Sequence, residues 1–461
     1  MKSKLIYLLS LCLALVIFSL INVGAQAEIN KQNIESLAKN SFKDLVLQTH
    51  AESIYVKSLD ENIEIYNKEA QKRIYPAGTV KLMTAYTAYN LIPDLDVVIT
   101  ASEQAIKATS GLNVKIKAGE SYKAKDLFYA LLVGGANDAA NVLAEYCSGS
   151  IEDFVSEMNK NAKKIGADNT FYTNPTGMHD DNMYTTAFDT SLVAKEVYYI
   201  NTLLEMSNTV SYELKPLNAD KTVIVRSRNR LIANSYGISY YNPNAKGLSS
   251  SSTTQGGNCL VTTCAKSGLS YLIVIMNAPE IPNEDPQTVD KEKNAITSYY
   301  DADCLIDLCM NSFSKQVLLN KSKPIFELDV RNSATYDHLI LYPENEAELF
   351  LPVDIDLSKV SLTHEISSDY ALAPVKKGDD FGTVSVMYDG LCLYTTKLIS
   401  DVEIERSGVL YVLYLIECFI KSKFFITIAV IAFILLLLYF IVAVYLNIQI
   451  KNGKYRRKKR K

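Results

Sequence analysis

The sequence lacks the residue clusters with which proteins hold a metal ion. Its four histidines are scattered along 461 residues, and none belongs to an H-E-x-x-H pair. None of the eight cysteines forms a C-x-x-C pair, so the pattern fits neither a zinc site nor a dense disulfide framework. We expect buried free thiols, with a bridge between Cys304 and Cys309 as the open alternative. The sequence therefore predicts no metal and no cofactor.

Between its two ends the chain has fewer basic residues than acidic ones. Eight of the 47 Lys and Arg residues lie in the segment 451–461, and two lie within residues 1–27. The other 37 are outnumbered by 51 Asp and Glu residues, which leaves the rest of the chain with a net charge near −14. An acidic surface does not attract polyanions, so we expect no nucleic acid among the partners.

Residues 1–27 have the three parts of a secretory signal. Lys2 and Lys4 precede an apolar run over 5–21, and the A-Q-A sequence at 25–27 has the form of a cleavage site. An uncleaved anchor helix is the alternative interpretation. In either case the bulk of the chain is predicted to be exported.

The other end has the pattern of a membrane anchor. Residues 424–446 form a predominantly apolar run without a charge, long enough to span a bilayer. The basic tail 447–461 follows directly, and positive charge marks the cytoplasmic side of a spanning helix. We therefore predict a single-pass protein of the cell membrane, with a large extracellular N-terminal part and a cytoplasmic C-terminus. A shorter apolar run at 409–420 is expected to lie along the membrane surface.

The exported part is too long for one average core, so we expect two domains. The first, 28–320, has helical patterns at 128–147 and 156–166. It also contains two strand patterns within 259–279, joined at the turn Lys266-Ser267-Gly268. Helices combined with hairpin-joined strands indicate an α+β fold with an antiparallel sheet.

The sequence pattern changes after a helical stretch predicted at 299–319. Residues 322–403 consist of short alternating segments separated by Gly, Pro and Asp turns. This pattern indicates a small all-β domain between the first domain and the membrane anchor.

The most informative stretch is Y-P-A-G-T-V-K-L-M-T-A-Y at 75–86. In the S-x-x-K motif, serine and lysine lie three residues apart at a helix start. They are then about 60° apart around the helix axis, so the lysine can deprotonate the serine. Lys81 is present here, but Gly78 stands three residues before it. Thr79 cannot substitute, because two residues correspond to about 160° around the axis.

Several longer segments share one family pattern. They are Y-P-A at 75–77 with K-L-M-T-A at 81–85, L-L at 131–132 with N-D-A-A at 137–140, N-P-T-G-M-H-D at 174–180 with T-T-A-F-D at 185–189, and G-L at 247–248 with Thr253 and G-N-C-L-V at 257–261. With them the chain resembles the serine-type D-alanyl-D-alanine carboxypeptidases, the low-molecular-weight penicillin-binding proteins, over most of residues 30–405. The resemblance implies a β-lactamase/transpeptidase-like domain, with a five-stranded antiparallel sheet flanked by helices.

The departures from the family pattern fall on its three catalytic motifs. Gly78 stands at the nucleophilic serine, Gly135 at the serine of S-x-N, and Ser249-Ser250-Ser251 at K-T-G, whereas Lys81 and Asn137 keep their motif positions. The first loss removes the atom that would form an acyl-enzyme. The second removes a proton relay, and the third removes the cation that would hold the terminal carboxylate of the substrate.

The resemblance and its departures together predict a cell-wall protein without the family's chemistry. We expect it to bind peptidoglycan stem peptides or to serve as a scaffold for cell-wall enzymes. Lys81 is then a salt-bridged structural residue and Asn137 a helix cap. The serine run 249–252 is an edge strand or turn, with Ser249, Ser250 and Ser251 at the substrate site. Two alternatives stay open. One is an active carboxypeptidase that releases the terminal D-alanine through a rearranged serine site, and the other is a surface interaction module that works through the β domain.

Overall fold

The computed structural model of this chain describes residues 28–41, 49–233, 240–282 and 294–458. The predicted signal segment 1–27 therefore lies outside the described residues, as do the last three residues of the basic tail.

The chain divides into two compact units. The first unit contains residues 31–316 and 349–356. The second unit contains residues 28–30, 317–348 and the described residues from 357 onward. Residues 349–356, which the sequence places in the β-rich domain, thus belong to the first unit.

The described residues form α-helices along most of the first unit and at the C-terminal end of the chain. In chain order they are α1 (Lys31–Ser41), α2 (Val80–Leu91), α3 (Glu103–Lys107), α4 (Ala124–Leu132), α5 (Asn137–Ser148), α6 (Ile151–Lys164), α7 (Ala187–Tyr199), α8 (Asn201–Ser207), α9 (Thr297–Ser312), α10 (Gly408–Lys421) and α11 (Lys423–Lys458). Short 3-10 helices occur at Ala77–Thr79 and Leu357–Lys359.

The strands are distributed over both units. In chain order they are β1 (Glu28–Ile29), β2 (Ser53–Ser58), β3 (Glu64–Lys68), β4 (Val98–Thr100), β5 (Ser121–Lys123), β6 (Ser211–Leu214), β7 (Val223–Arg226), β8 (Ala245–Thr253), β9 (Gly257–Lys266), β10 (Leu269–Ala278), β11 (Glu280–Pro282), β12 (Asn294–Ile296), β13 (Phe313–Leu319), β14 (Phe326–Arg331), β15 (His338–Pro343), β16 (Ala347–Pro352), β17 (Val360–Ile366), β18 (Tyr370–Leu372), β19 (Asp380–Tyr388) and β20 (Leu391–Ser400).

The first unit is built on a five-stranded antiparallel sheet in the order β3-β2-β10-β9-β8. This confirms the predicted sheet. Strands β9 and β10 form the predicted hairpin, and its turn residues Ser267 and Gly268 both have positive φ. Both strands are buried along most of their length, which indicates that helices or loops cover both faces of the sheet. Strand β8, which carries residues 249–251, lies at the edge of the sheet.

Helix α2 runs through the core of the first unit. Every residue from Val80 to Ala88 is buried, so the helix has no polar face toward water. It packs against α4, α5, α6 and α7. The short 3-10 helix Ala77–Thr79 leads into it, and Ala77 has the left-handed φ of +48°. The core therefore fixes the position of Gly78 and Lys81.

The loop that contains residues 174–178 packs directly on the start of α2. The side-chain oxygen of Asn174 accepts hydrogen bonds from the backbone N–H groups of Thr176 at 3.2 Å and Gly177 at 2.8 Å. Gly177 has φ +78°, and a Cβ on it would lie 2.0 Å from the carbonyl oxygen of Ala77. Only glycine permits this contact. The glycine of the N-P-x-G segment is therefore required by the packing of the loop on the start of α2.

The helix predicted over 128–147 is wrong as one element. Helix α4 ends at Leu132 and α5 begins at Asn137. Between them Gly135 has φ +66°, a left-handed conformation that cannot continue a right-handed helix. The helix predicted over 156–166 is observed with an earlier start, because the Ser150 side chain caps α6 by accepting from the backbone N–H of Asp153.

The helix predicted over 299–319 is correct only for its first part. Helix α9 ends at Ser312, and strand β13 follows at once. The ring of Phe313 stacks on that of Phe350, with centroids 4.8 Å apart, so packing within the unit overrides the local helical pattern. The possible Cys304–Cys309 bridge is also wrong, since Cys304 is exposed, Cys309 is fully buried, and both are free thiols.

The second unit contains a seven-stranded sheet. Its order is β17-β19-β20-β15-β14-β18, and β1 pairs with β20. Strands β14 and β18 are parallel, whereas the other registered pairs are antiparallel. Burial alternates along β19 and most of β20, as expected for a sheet with one face packed and one face closer to solvent. The fully described stretch 322–403 contains no α-helix.

Two helices follow this sheet in the chain. Within α11, residues 423–449 have a mean hydropathy of 3.1 over their most apolar window and are unburied. This is the one helix among the described residues that is long and apolar enough to cross a membrane. Helix α10 precedes it with exposed apolar side chains such as Val409, Leu413 and Phe419.

Candidate functional site

A cleft of about 400 Å³ opens beside the start of α2 in the first unit. One wall carries Gly78 and Lys81, and the opposite wall is strand β8 with residues 249–251. Gly135 and Asn137, at the break between α4 and α5, line the same cleft. The structure thus brings together every site residue predicted from the sequence.

Lys81 is held at the bottom of the cleft by a backbone carbonyl. Only 9% of its surface is exposed, and its Nζ donates a hydrogen bond to the Thr176 oxygen at 2.5 Å. Burial lowers the pKa of Lys81 to about 7, because desolvation disfavours the ammonium form. The predicted salt bridge is wrong: no carboxylate among the described residues pairs with this amine. A buried, weakly basic amine is what general-base chemistry requires, but it needs a hydroxyl to act on.

The space beside Gly78 is filled from the opposite wall. A Cβ on Gly78 would lie 2.7 Å from Ser251 Cβ and 3.2 Å from Ser251 Oγ. It would also lie 3.4 Å from Lys81 Nζ. The vacant nucleophile position therefore adjoins both the lysine and the side chain that stands at the glycine of K-T-G.

Hydrogen bonds tie the segment that stands at S-x-N to the loop that precedes it. The backbone N–H of Asn137 donates to the Leu112 oxygen at 2.8 Å, and its side-chain Nδ2 donates to the Ser110 oxygen at 2.7 Å. The Asp138 carboxylate accepts from the backbone N–H groups of Val114 and Ile116, which ties the preceding loop to the helix start. Asn137 is the first residue of α5 rather than its cap, so the predicted capping role is wrong.

Three buried polar atoms in the cleft lack hydrogen-bond partners among the described residues. They are Asn137 Oδ1, Asn229 Nδ2 and Ser251 Oγ. Asn137 and Asn229 are 2% and 4% exposed. Their orientations are fixed, because Asn137 Nδ2 donates to a backbone oxygen and Asn229 Oδ1 accepts from the Leu231 N–H at 3.0 Å. Buried polar groups are nearly always satisfied in native proteins, so the unmet amide groups of the two asparagines point to a ligand.

The sequence alone did not identify a cation that lines the cleft. Arg228 lies near Gly135, where a Cβ would stand 3.8 Å from Arg228 Cγ, and among the described residues no carboxylate forms an ion pair with it. Behind it, the hydroxyl of the buried Tyr299 donates to the Arg228 oxygen at 3.2 Å and lies 2.8 Å from Ser250 Oγ. The two arginines of the S-R-N-R run at 227–230 could have indicated this cation, but the run belongs to none of the three catalytic motifs.

The comparison with protein families identifies the origin of this cleft. The model of peptidase family S11, described as D-alanyl-D-alanine carboxypeptidase, matches residues 39–280. That range covers more than half of the chain and includes every residue that lines the cleft. The chain belongs to the D-alanyl-D-alanine carboxypeptidase family. The family acts on peptidoglycan stem peptides and is associated with the cell wall.

Individual relatives match well beyond the region of the family model. The D-alanyl-D-alanine carboxypeptidase DacF of Bacillus subtilis is 24% identical over 366 residues, covering 78% of this chain and 88% of that protein. The D-alanyl-D-alanine carboxypeptidase DacA of Haemophilus influenzae is 26% identical over 360 residues, covering 73% of this chain and 81% of its own length.

Solved structures extend the likeness to the fold. Penicillin binding protein 5 from Haemophilus influenzae aligns with a TM-score of 0.55 at 20% identity, covering 78% of this chain and 98% of that one. Penicillin binding protein 6B from Escherichia coli aligns with a TM-score of 0.57 at 17% identity, covering 76% and 96%. At this identity the likeness shows the fold alone, and it confirms the predicted α+β class of the D-alanyl-D-alanine carboxypeptidase family.

Proposed function

We propose that this chain is a membrane-anchored member of the D-alanyl-D-alanine carboxypeptidase family that binds peptidoglycan stem peptides without cleaving them. The observation that carries the proposal is Gly78. At this position, beside a buried lysine of lowered pKa, the chain offers no hydroxyl to form an acyl-enzyme. Gly135 lacks the hydroxyl that would relay a proton, and Ser249 lacks the positive charge that would bind the substrate carboxylate.

The state of the rest of the cleft supports peptide binding. Asn137 Oδ1 can accept from a peptide N–H, and Asn229 Nδ2 can donate to a peptide oxygen. Arg228 supplies a guanidinium to the same cleft that Ser249 lines, and a guanidinium forms charge-assisted hydrogen bonds with a carboxylate. A peptide that ends in a free carboxylate carries a chemical partner for each of these three groups.

A rearranged serine enzyme is the competing interpretation, and Ser251 would have to supply its nucleophile. The Ser251 Oγ has no hydrogen-bond partner among the described residues, and the Lys81 amine donates to the Thr176 oxygen instead. A nucleophile needs a hydrogen bond to its base. The arrangement favours binding without acylation.

The proposed location is the outer face of the cell membrane, with the cleft in the exported part. The apolar helix α11 supports an anchor by its length and composition. The basic residues that follow its apolar part favour an inside location for the C-terminus. Stem peptides then reach the cleft from the wall side.

The test is calorimetric titration of the full chain in detergent with a synthetic stem pentapeptide that ends in D-Ala-D-Ala. We expect saturable binding, with the peptide recovered intact by mass spectrometry. The same peptide with an amidated C-terminus should bind more weakly, because the Arg228 contact requires a carboxylate. Release of D-alanine above background, or no binding of the free acid, would contradict the proposal.

A pair of asparagine variants locates the binding in the cleft. Asn229→Asp keeps the acceptor for the Leu231 N–H but replaces the unmet donor with a carboxylate oxygen, so we expect peptide binding to be lost. Asn208→Asp is the matched control, since Asn208 Oδ1 likewise accepts a backbone N–H, that of Gly247 at 2.7 Å, outside the cleft lining. Equal effects of the two variants would contradict the assigned site.

A further inference from the structure

Relative to the family motifs, glycine and serine have changed places at residues 78 and 251. The family pattern has a serine at the position of Gly78 and the glycine of K-T-G at the position of Ser251. The two residues face each other across the cleft, with Ser251 Cβ only 2.7 Å from the place where a Cβ on Gly78 would stand. Carbon atoms in contact are normally about 3.5–4.0 Å apart. One side chain therefore fits between the two walls, and it comes from β8.

Neither wall is free to move aside. Ser251 is paired in register with the buried Cys259 of β9. On the other side, a Cβ on Gly177 would lie 2.9 Å from Gly78 Cα, so the 174–178 loop backs the start of α2 closely. A second side chain at residue 78 would have to displace a sheet strand or this loop.

The Ser251 hydroxyl gains no hydrogen bond where it lies. Its Oγ is buried and has no partner among the described residues, although Lys81 Nζ adjoins the same space. The Lys81 amine is directed to the Thr176 oxygen instead. The side chain thus fills volume rather than making a polar contact.

We propose that Ser251 is a steric plug that fills the acylation pocket of the cleft and excludes any side chain at residue 78. This rests on the proposed function, because it gives a second and independent reason why the protein does not acylate. Gly78 removes the nucleophile, and Ser251 removes the space that a nucleophile at residue 78 would need. Restoring the serine at position 78 alone cannot restore the site.

A thermal-stability cycle tests the steric relationship without any chemistry. The variants are G78A, S251G and G78A/S251G in the full chain in detergent. Gly78 has no positive φ, so alanine is compatible with its backbone. Without a clash, G78A should raise the Tm by restricting the unfolded chain. With the plug present, we expect G78A to lower the Tm by roughly 2–10 °C, and S251G to remove that loss in the double variant.

A labelling experiment tests the consequence for acylation. The G78S/G135S/S249K/S250T variant restores the family's polar groups but keeps Ser251, and adding S251G completes K-T-G. We expect fluorescent penicillin to label the second variant and not the first. If G78A raises the Tm, or if labelling does not depend on residue 251, the proposal that Ser251 blocks residue 78 is contradicted. Either result would leave peptide binding by the unmodified chain intact, so the two proposals fail separately.

Discussion

Lys81 Nζ donates its hydrogen bond to the backbone oxygen of Thr176, 95 residues further along the chain. In the S-x-x-K arrangement this amine serves the nucleophile three residues earlier, where this chain has Gly78. The lysine therefore links the start of α2 to the 174–178 loop through this hydrogen bond. Its buried position, and the lowered pKa that follows from burial, remain.

The first prediction concerns the pH dependence of stability at Lys81. Its folded pKa of about 7 is below the ordinary lysine value of 10.5, so the unfolded chain binds more protons between these values. Stability contributed at this site should therefore rise as the pH increases from about 7 toward 10.5. Relative to Lys81→Met, the unmodified chain should gain stability over that interval, as measured by denaturant midpoints.

A matched lysine separates this effect from general alkaline behaviour. Lys68 also donates to a backbone oxygen, that of Thr49 at 2.8 Å, but it is only partly buried. Lys68→Met, measured over the same pH interval, corrects for the general effect of alkaline pH on the protein. A pH-independent difference for Lys81→Met would show that its amine is not buried as described.

The second prediction concerns the backbone at Gly135. With φ +66°, a serine at this position should destabilise the protein by about 1–2 kcal/mol, and asparagine by less, because asparagine tolerates the left-handed region better. Chemical denaturation of Gly135→Ser and Gly135→Asn measures the difference. Gly149→Ser is the control for backbone strain alone, since Gly149 has φ +80° with open space around it. A neutral Gly135→Ser would mean that this backbone strain is small.

Helices and strands that follow from the local pattern of apolar and polar residues could be predicted from the sequence. Those fixed by a single glycine or by packing could not. The β9–β10 hairpin and the edge position of residues 249–251 were derived correctly. The break between α4 and α5 was missed, because the apolar periodicity continues through Gly135 and only its φ ends the helix. Strand β13 was missed for a different reason, since the packing of Phe313 decides it.

The candidate site shows the same division. Family motifs located Gly78, Lys81, Asn137 and residues 249–251 in the sequence. Motifs could not show that Ser251 fills the space beside Gly78, because that fact depends on a distance across the cleft. Arg228 was also missed, since its role in the cleft follows from position rather than from a motif.

The third prediction assigns a measurable share of peptide binding to Arg228. Its guanidinium is exposed, so solvent screens its attraction for a carboxylate. We expect Arg228→Gln to weaken binding of the free-acid pentapeptide roughly two- to fivefold, with little effect on the amidated peptide. Arg226→Gln is the control, because Arg226 is exposed on β7 and does not line the cleft. An equal loss for both peptides would remove Arg228 as the carboxylate partner.

The fourth prediction concerns membrane topology. If residues 424–446 span the bilayer with the tail inside, protease added to cells stripped of wall should digest residues 28–420 and spare a tag placed after the tail. Alkaline carbonate should leave the protein in the membrane fraction. Release of the intact exported part by high salt alone would argue against a spanning helix.

The central claim is that this member of the D-alanyl-D-alanine carboxypeptidase family has no nucleophile. The most direct measurement is labelling of the full chain in membranes with a fluorescent penicillin, followed by mass mapping of any adduct. A penicillin-binding protein with an intact S-x-x-K motif serves as the positive control in the same membranes. We predict that no covalent adduct forms on this chain. An adduct mapped to Thr79 or to residues 249–252 would show that it is an acylating enzyme and contradict the account.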